Sequence, residues 1–96
     1  MIAIVATIRV RADKVAQFER AARELEAQVK ANEPDCLLYR MTKSRADPLT
    51  YRNLEIFRDQ AALDQHIARD YFKAAIEKIG GCNREEPVVD FMDTLD

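Results

Sequence analysis

The clearest structural signals in the sequence lie in one stretch, YRNLEIFRDQAALDQHIARDYFKAA, which runs from Tyr51 to Ala75. Its beginning alternates in the manner of a strand, and the remainder repeats apolar residues every three or four positions, as helices do. Asp59 stands where the strand pattern stops, and its side chain is expected to cap the helix that follows. Asp70 is expected to begin a second helix. The stretch therefore predicts a strand followed by two helices, and it carries the chain's only histidine, His66.

The segments on either side complete the predicted order of elements. MIAIVATIRVR alternates like a strand, and Asp13 is expected to cap a long helix that ends before Pro34. CLLYRMTKS and TYRNLEIFR predict a hairpin around RADPL, and VVDFMDTL predicts a last strand. The order β-α-β-β-α(α)-β predicts an α+β fold, the ferredoxin-like sandwich, with all helices on one face of the sheet. Residues 1–96 are predicted to form a single domain.

Charge and residue usage argue against several classes of protein. A net charge of −2 does not suit a nucleic-acid binder, and no polybasic block suggests a membrane tether. No apolar run is long enough to cross a bilayer and no signal peptide is recognised, so a cytoplasmic location is expected. Cys36 and Cys82 lack metal-ligand spacing; their number allows one disulfide, although two reduced thiols suit a cytoplasmic protein better. With one histidine and two glycines, neither a metal nor a cofactor site is predicted.

The pattern of the strands predicts which face of the sheet the helices cover. On the first strand, the apolar face that contains Ile4 and Ile8 is expected under the helices. On the third strand, the pattern favours the helix side for Leu54 and Ile56. The opposite face would then carry Ala3, Val5, Thr7, Tyr51, Asn53, Glu55 and Phe57. Such a face is too apolar for water and too polar for a plain core, so we expect a homodimer in which a second copy covers it and encloses a semi-polar cavity.

The segment LEIFRDQAALDQHIARDYFKAA resembles the signature of the antibiotic biosynthesis monooxygenase family, dimeric α/β-barrel proteins that include small quinol oxygenases. The matching features are an aromatic residue after Glu55, an acidic helix start, an Ala-Leu pair, a histidine and an aromatic-Lys-Ala segment. In this chain they are Phe57, Asp59, Ala62–Leu63, His66 and YFKAA. The resemblance implies a dimeric α/β barrel, and for the quinol oxygenases a reaction that needs no cofactor.

Different branches of the family are separated by single positions. One branch has an N-x-x-x-W pair on the third strand, and this chain has Asn53 and Phe57 at that spacing, so the indole N–H is absent. The haem-degrading branch has a histidine where this chain has Ile76, so haem binding is not expected. Many members carry a second histidine where Tyr71 stands. A further branch isomerises small phosphorylated sugar-like molecules and shares the single histidine followed by Phe-Lys. Isomerase activity therefore remains an alternative.

The candidate site residues follow from the chemistry of oxygenation without a cofactor. His66 is the candidate for proton transfer, because imidazole titrates near neutral pH. Asn53, an unusual residue on a strand, is the candidate donor to a developing oxyanion. Glu55 is either a base whose pKa burial raises or the partner of an arginine such as Arg9 or Arg40. The other predicted substrate contacts are Tyr51, Phe57 and Thr7.

The function that these residues and the resemblance imply is cofactor-independent monooxygenation. The substrate would be a small aromatic, phenolic or quinol-type molecule that reacts with O2. Two alternatives stay open: a small-molecule isomerase that uses the same cavity, and a non-catalytic ligand-binding dimer, because a fold does not fix a function.

Overall fold

A four-stranded antiparallel sheet carries three α-helices on one face. The structure is a computed structural model that describes all 96 residues. The strands are β1 (Ile2–Arg9), β2 (Cys36–Lys43), β3 (Thr50–Phe57) and β4 (Val88–Asp93), and the helices are α1 (Val15–Asn32), α2 (Gln60–Ala68) and α3 (Asp70–Gly80). The strands lie in the order β2-β3-β1-β4. The predicted α+β ferredoxin-like fold is confirmed. No helix combines the length and the hydropathy that crossing a membrane requires.

The two predicted aspartate caps differ in outcome. The Asp59 side chain accepts a hydrogen bond of 2.9 Å from the backbone N–H of Ala62, so the cap of α2 is confirmed. Asp13 lies inside a short 3-10 turn, Ala12–Lys14, and α1 begins after it without a side-chain cap. The prediction for Asp13 was therefore wrong, because the chain makes one tighter turn before the α-helix starts.

The hydrophobic core lies between the helices and the sheet face that they cover. Its larger cluster joins Ile8 and Val10 to Phe18, Leu25 and Val29 of α1. A smaller cluster joins Ile4 and Phe57 to Ala62 and Leu63 of α2. These contacts hold α1 and α2 against the first and third strands, and they position the residues between them.

The register of β1 and β3 corrects the predicted orientation of β3. Ala6 stands opposite Asn53, Ile4 opposite Glu55 and Ile8 opposite Tyr51, and directly opposed residues in antiparallel strands share a face. Tyr51, Asn53, Glu55 and Phe57 therefore lie under the helices and are all buried. Leu54 and Ile56 lie on the other side, where Leu54 is 36% exposed. A shift of one residue in the alternation of a strand moves every side chain to the opposite face of the sheet. Leu54 and Ile56 are apolar, and they led to the wrong assignment of the two faces of β3.

The side of the sheet away from the helices, here called the outer face, has no covering element within the chain. Its apolar residues are Ala3, Val5, Leu38, Leu54, Ile56, Val88 and Met92. Thr7 lies on the same face. Val88 and Met92 are 53% and 42% exposed. The outer face is thus more apolar than expected from the sequence, because Asn53 and Glu55 of β3 point the other way, although Arg52 remains on it.

Candidate active site

A cavity of about 790 Å³ lies between the helix-covered face of the sheet and helices α2 and α3. Most of its wall is apolar, and the polar groups in its interior come from Asn53, Glu55, His66 and Tyr39. Val89 and Phe91 of β4 also line it and are 45% and 65% exposed, so the cavity opens beside this strand. The cavity therefore lies inside one protomer, and the predicted location between two sheets was wrong.

His66 is held on α2 with only 1% of its surface exposed. Its Nδ1 lies 2.9 Å and 3.1 Å from the two carboxylate oxygens of Glu33. The rings of Tyr39, Phe57 and Phe72 surround the imidazole, with centroid separations of 5.1, 5.0 and 4.5 Å. Burial lowers the pKa of His66, although the Glu33 carboxylate acts in the opposite direction. The imidazole is therefore neutral near pH 7.

The second nitrogen of His66, Nε2, is buried and has no hydrogen-bond partner in the chain. A carboxylate can only accept, so the proton of the neutral ring belongs on Nδ1, facing Glu33. Nε2 then carries a lone pair, and because His66 lines the cavity, a ligand there can supply the missing partner. A buried polar atom without a partner is rare, and one that lines a cavity is a candidate ligand-binding group.

Asn53 and Glu55 form a second polar pair on the floor of the cavity. The Nδ2 of Asn53 donates a hydrogen bond of 3.1 Å to Glu55 Oε2, and Asn53 Oδ1 has no partner. Burial raises the pKa of Glu55 to about 7, with the bond from Asn53 acting against it. The alternative salt bridge is not formed, since Arg9 pairs with Glu85 and Arg40 with Glu26.

The polar groups of the cavity favour an uncharged ligand that carries hydroxyl groups. The buried unpaired atoms of the lining residues are Asn53 Oδ1, His66 Nε2 and Asn83 Oδ1, all of which can accept. Arg84 is the only arginine or lysine in the lining. Burial also raises the pKa of Tyr39, so its hydroxyl stays protonated. No three His, Cys, Asp or Glu side chains lie close enough together to hold a metal ion.

The other predicted site residues lie outside the cavity lining. Phe57 is fully buried behind the His66 ring. The Tyr51 hydroxyl donates a hydrogen bond of 2.6 Å to Glu19, and its ring packs on Phe18. Thr7 stands opposite Arg52 on the outer face. Of the six predicted residues, the structure thus brings His66, Asn53 and Glu55 together and places Phe57 behind them.

Sequence reasoning missed Glu33, Tyr39 and Phe72. The sequence pattern placed Glu33 in the turn that ends α1. In the structure its side chain is buried, and its carboxylate contacts His66. A hint was available in the position of Tyr71, which replaces a second histidine of the family signature and donates to Glu33. Tyr39 and Phe72 looked like ordinary core residues, and nothing in the sequence marks them as neighbours of His66.

Replacing Glu55 with glutamine is expected to stabilise the fold at pH 8 by on the order of 3 kcal/mol. Burial raises the pKa of Glu55 from 4.5 to about 7, so the folded chain holds this proton more tightly than the unfolded chain. The resulting stabilisation is complete below pH 4.5 and is lost as the pH rises through 7. Glutamine can still accept from Asn53 and removes the buried charge.

The measurement is urea unfolding of the wild type and Glu55→Gln between pH 4.5 and 8.5. The difference in unfolding free energy should grow with pH and level off above about 7. Glu77→Gln, at an exposed position on α3, is the matched control. Parallel pH curves for the wild type and Glu55→Gln would show that Glu55 is not desolvated.

Comparison with known proteins places the chain in a family. The model of the antibiotic biosynthesis monooxygenase family matches residues 1–78, which include Asn53, Glu55 and His66. A candidate antibiotic biosynthesis monooxygenase from Caulobacter crescentus has 40% sequence identity and a TM-score of 0.96, over 99% of this chain and 90% of that one. An antibiotic biosynthesis monooxygenase structure has 27% identity and a TM-score of 0.91 over 100% of both chains.

A conserved protein from Methanosarcina mazei is also similar, with 27% identity and a TM-score of 0.90 over 95% of this chain and 89% of that one. No curated protein matches the chain. The family model covers more than half of the sequence, and the Caulobacter structure matches nearly all of it. The chain therefore belongs to the antibiotic biosynthesis monooxygenase family.

Proposed function

We propose that this protein is a cofactor-independent monooxygenase that oxidises a small phenolic or quinol-type aromatic with O2. The observation that carries the proposal is the unpaired Nε2 of a buried, neutral His66 in the lining of a largely apolar cavity. A neutral imidazole is a competent base near pH 7. A largely apolar lining limits the access of water to the reactive intermediates that follow.

The chemistry balances with the substrate as the source of electrons. For a hydroquinone, His66 Nε2 takes a hydroxyl proton, and the phenolate transfers one electron to O2. The radical and superoxide then combine at a ring carbon to give a peroxide, whose O–O bond breaks as the ring C–H proton is lost. The products are one hydroxyquinone and one water, so one oxygen atom enters the ring and the other leaves as water.

Asn53 and Glu55 have separate roles in this scheme. Asn53 Oδ1 is free to accept from a second substrate hydroxyl and so orients the ring. Glu55, with a pKa of about 7, is partly protonated at neutral pH and can give its proton to the oxygen that leaves as water. The hydrogen bond between the two side chains keeps the carboxyl group directed along the cavity floor.

The isomerase alternative is less well supported by the same cavity. A phosphorylated substrate needs several cationic or N–H donors around its phosphate. The lining offers only Arg84, accompanied by Glu85 and Glu86 at the same opening. We therefore do not favour a phosphorylated substrate.

We also propose that two copies associate through their outer faces. The outer face exposes a continuous group of apolar side chains and none of the chain's own helices covers it. Stable monomers rarely leave such a surface in water, and a two-fold axis would bring identical patches together. In this arrangement each protomer keeps its own cavity on the far side of its sheet.

The proposed function is tested by oxygen consumption. The purified protein, freed of metal with a chelator, is offered hydroquinones and polycyclic phenols, and uptake is corrected for autoxidation. We expect uptake that grows with protein concentration and survives the chelator. Binding of the panel members without uptake would contradict the monooxygenase proposal and favour a ligand-binding dimer.

A further inference from the structure

The carboxylate of Glu33 gathers side chains from two later elements at a point behind His66. Glu33 follows the end of α1, and its side chain is only 5% exposed. His66 of α2 contacts it through Nδ1, and the hydroxyl of Tyr71 on α3 donates to Oε2. Arg69, between the two helices, lies with Nε 3.8 Å from Oε2. Burying a carboxylate is costly unless it is paired and hydrogen-bonded, and here it has both kinds of partner.

We propose that Glu33 is a positioning residue that fixes the tautomer and orientation of His66, with Tyr71 and Arg69 holding the Glu33 carboxylate in place. Glu33 is not among the residues that line the cavity. It acts only through Nδ1. The catalytic consequence rests on the proposed function, whereas the tautomer is a property of the resting protein.

Hydrogen-bond chemistry determines which tautomer of His66 the Glu33 carboxylate favours. A carboxylate has no proton to donate, so the neutral imidazole must present N–H at Nδ1 and a lone pair at Nε2. Tyr71 occupies Oε2, which leaves Oε1 at 2.9 Å as the nearer acceptor for His66. When Nε2 takes a proton, the carboxylate stabilises the imidazolium ring. The Arg69 guanidinium offsets the buried negative charge when the ring is neutral.

The variant that isolates this role is Glu33→Gln. The amide fills nearly the same volume, yet its NH2 group can donate to Nδ1 and so favours the opposite tautomer, with N–H at Nε2. In that form Nε2 cannot act as a base. We expect oxygen uptake to fall by on the order of 10²-fold or more, the typical range for losing a general base. Glu24→Gln, at an exposed position of α1, is the matched control.

The decisive readout is the tautomer, measured by NMR on protein labelled with ¹⁵N in histidine. His66 is the only histidine, so all ring signals belong to it, and the couplings to the two ring C–H protons distinguish Nδ1 from Nε2. In the wild type and Glu24→Gln, we expect a proton on Nδ1 and none on Nε2. In Glu33→Gln, we expect the signals to move toward the opposite tautomer, whereas a merely structural glutamate would leave them unchanged.

Two results would overturn the inference: a proton on Nε2 in the wild type, or an unchanged Nδ1–H tautomer in folded Glu33→Gln. If Glu33→Gln does not fold, the wild-type spectrum still decides, and Tyr71→Phe supplies a milder variant that should keep the tautomer. The expected tautomers in a protein that shows no oxygen uptake would support the positioning role and contradict the proposed function alone. The two claims are therefore separable.

Discussion

Replacing His66 with glutamine is expected to lower oxygen uptake by about 10²- to 10⁴-fold, the range associated with loss of a general base. Nε2 of His66 is the one unpaired buried nitrogen in the cavity lining, whereas the Glu55 carboxyl group already accepts a hydrogen bond from Asn53. Glutamine can still donate from its amide to Glu33, so the buried carboxylate keeps a partner and the fold is preserved. Steady-state oxygen consumption with the best panel substrate gives the measurement.

The matched control for this experiment is Gln65→Ala. Gln65 is the exposed neighbour of His66 on the same helix, and it does not line the cavity. Thermal melting of the wild type and both variants checks that the fold is intact. If folded His66→Gln retained the wild-type rate, His66 would be a structural residue and another group would be the base.

Replacing Val5 with glutamate is expected to raise the dimer dissociation constant by on the order of 10³-fold or more. Val5 lies on the outer face between Leu54 and Asp90. Two-fold symmetry would place two new carboxylates in one interface, each of them beside an existing aspartate. Arg52, a cation on the neighbouring strand of this face, stands opposite Thr7 and not opposite Val5. Burying a charge that its partner does not fully compensate costs several kcal/mol per ion, which corresponds to a loss of three or more orders of magnitude in affinity.

Sedimentation equilibrium over a range of protein concentrations measures this effect. Ala27→Glu, which adds the same charge at an exposed position of α1, should leave the dissociation constant unchanged. The cavity lies on the opposite side of the sheet from Val5, so substrate binding should persist in the variant. A wild-type protein that is monomeric at micromolar concentration would contradict the proposed dimer.

Local signals in the sequence predicted the elements well. The Asp59 cap, the hairpin before it and the break between α2 and α3 depend on residues close together in the chain, and all three are seen in the structure. The prediction that Asp13 caps α1 was wrong, because a capping residue and a residue in the middle of a 3-10 turn cannot be distinguished in sequence. Errors of this kind shift an element boundary and leave the fold unchanged.

The orientation of β3 could not be predicted because the cavity reverses the usual pattern. Strands normally turn their apolar residues to the core, and Leu54 with Ile56 fitted that rule. In this protein the buried side of β3 carries Asn53 and Glu55, which face a ligand cavity, while the apolar side forms the outer face. The phase is set by pairing with β1, which lies more than forty residues away in the chain.

The partners of the site residues were also beyond the sequence. Glu33 and His66 are 33 positions apart, and Tyr51 and Glu19 are 32 apart. The contact with Glu33 holds the His66 ring at the site. The hydrogen bond to Glu19 holds the Tyr51 hydroxyl away from the cavity. Nothing local distinguishes these two carboxylates from the other acidic residues of the chain, so only the packing of the helices on the sheet reveals them.

We propose that this chain inserts one atom of O2 into a quinol-type substrate with no cofactor. The most direct test is turnover under ¹⁸O2 by chelator-treated protein, with the product analysed by mass spectrometry before its oxygens exchange with water. We expect one O2 to be consumed per substrate, one ¹⁸O atom to appear in the product and no hydrogen peroxide to accumulate. An unlabelled product, or oxygen recovered as hydrogen peroxide, would contradict it.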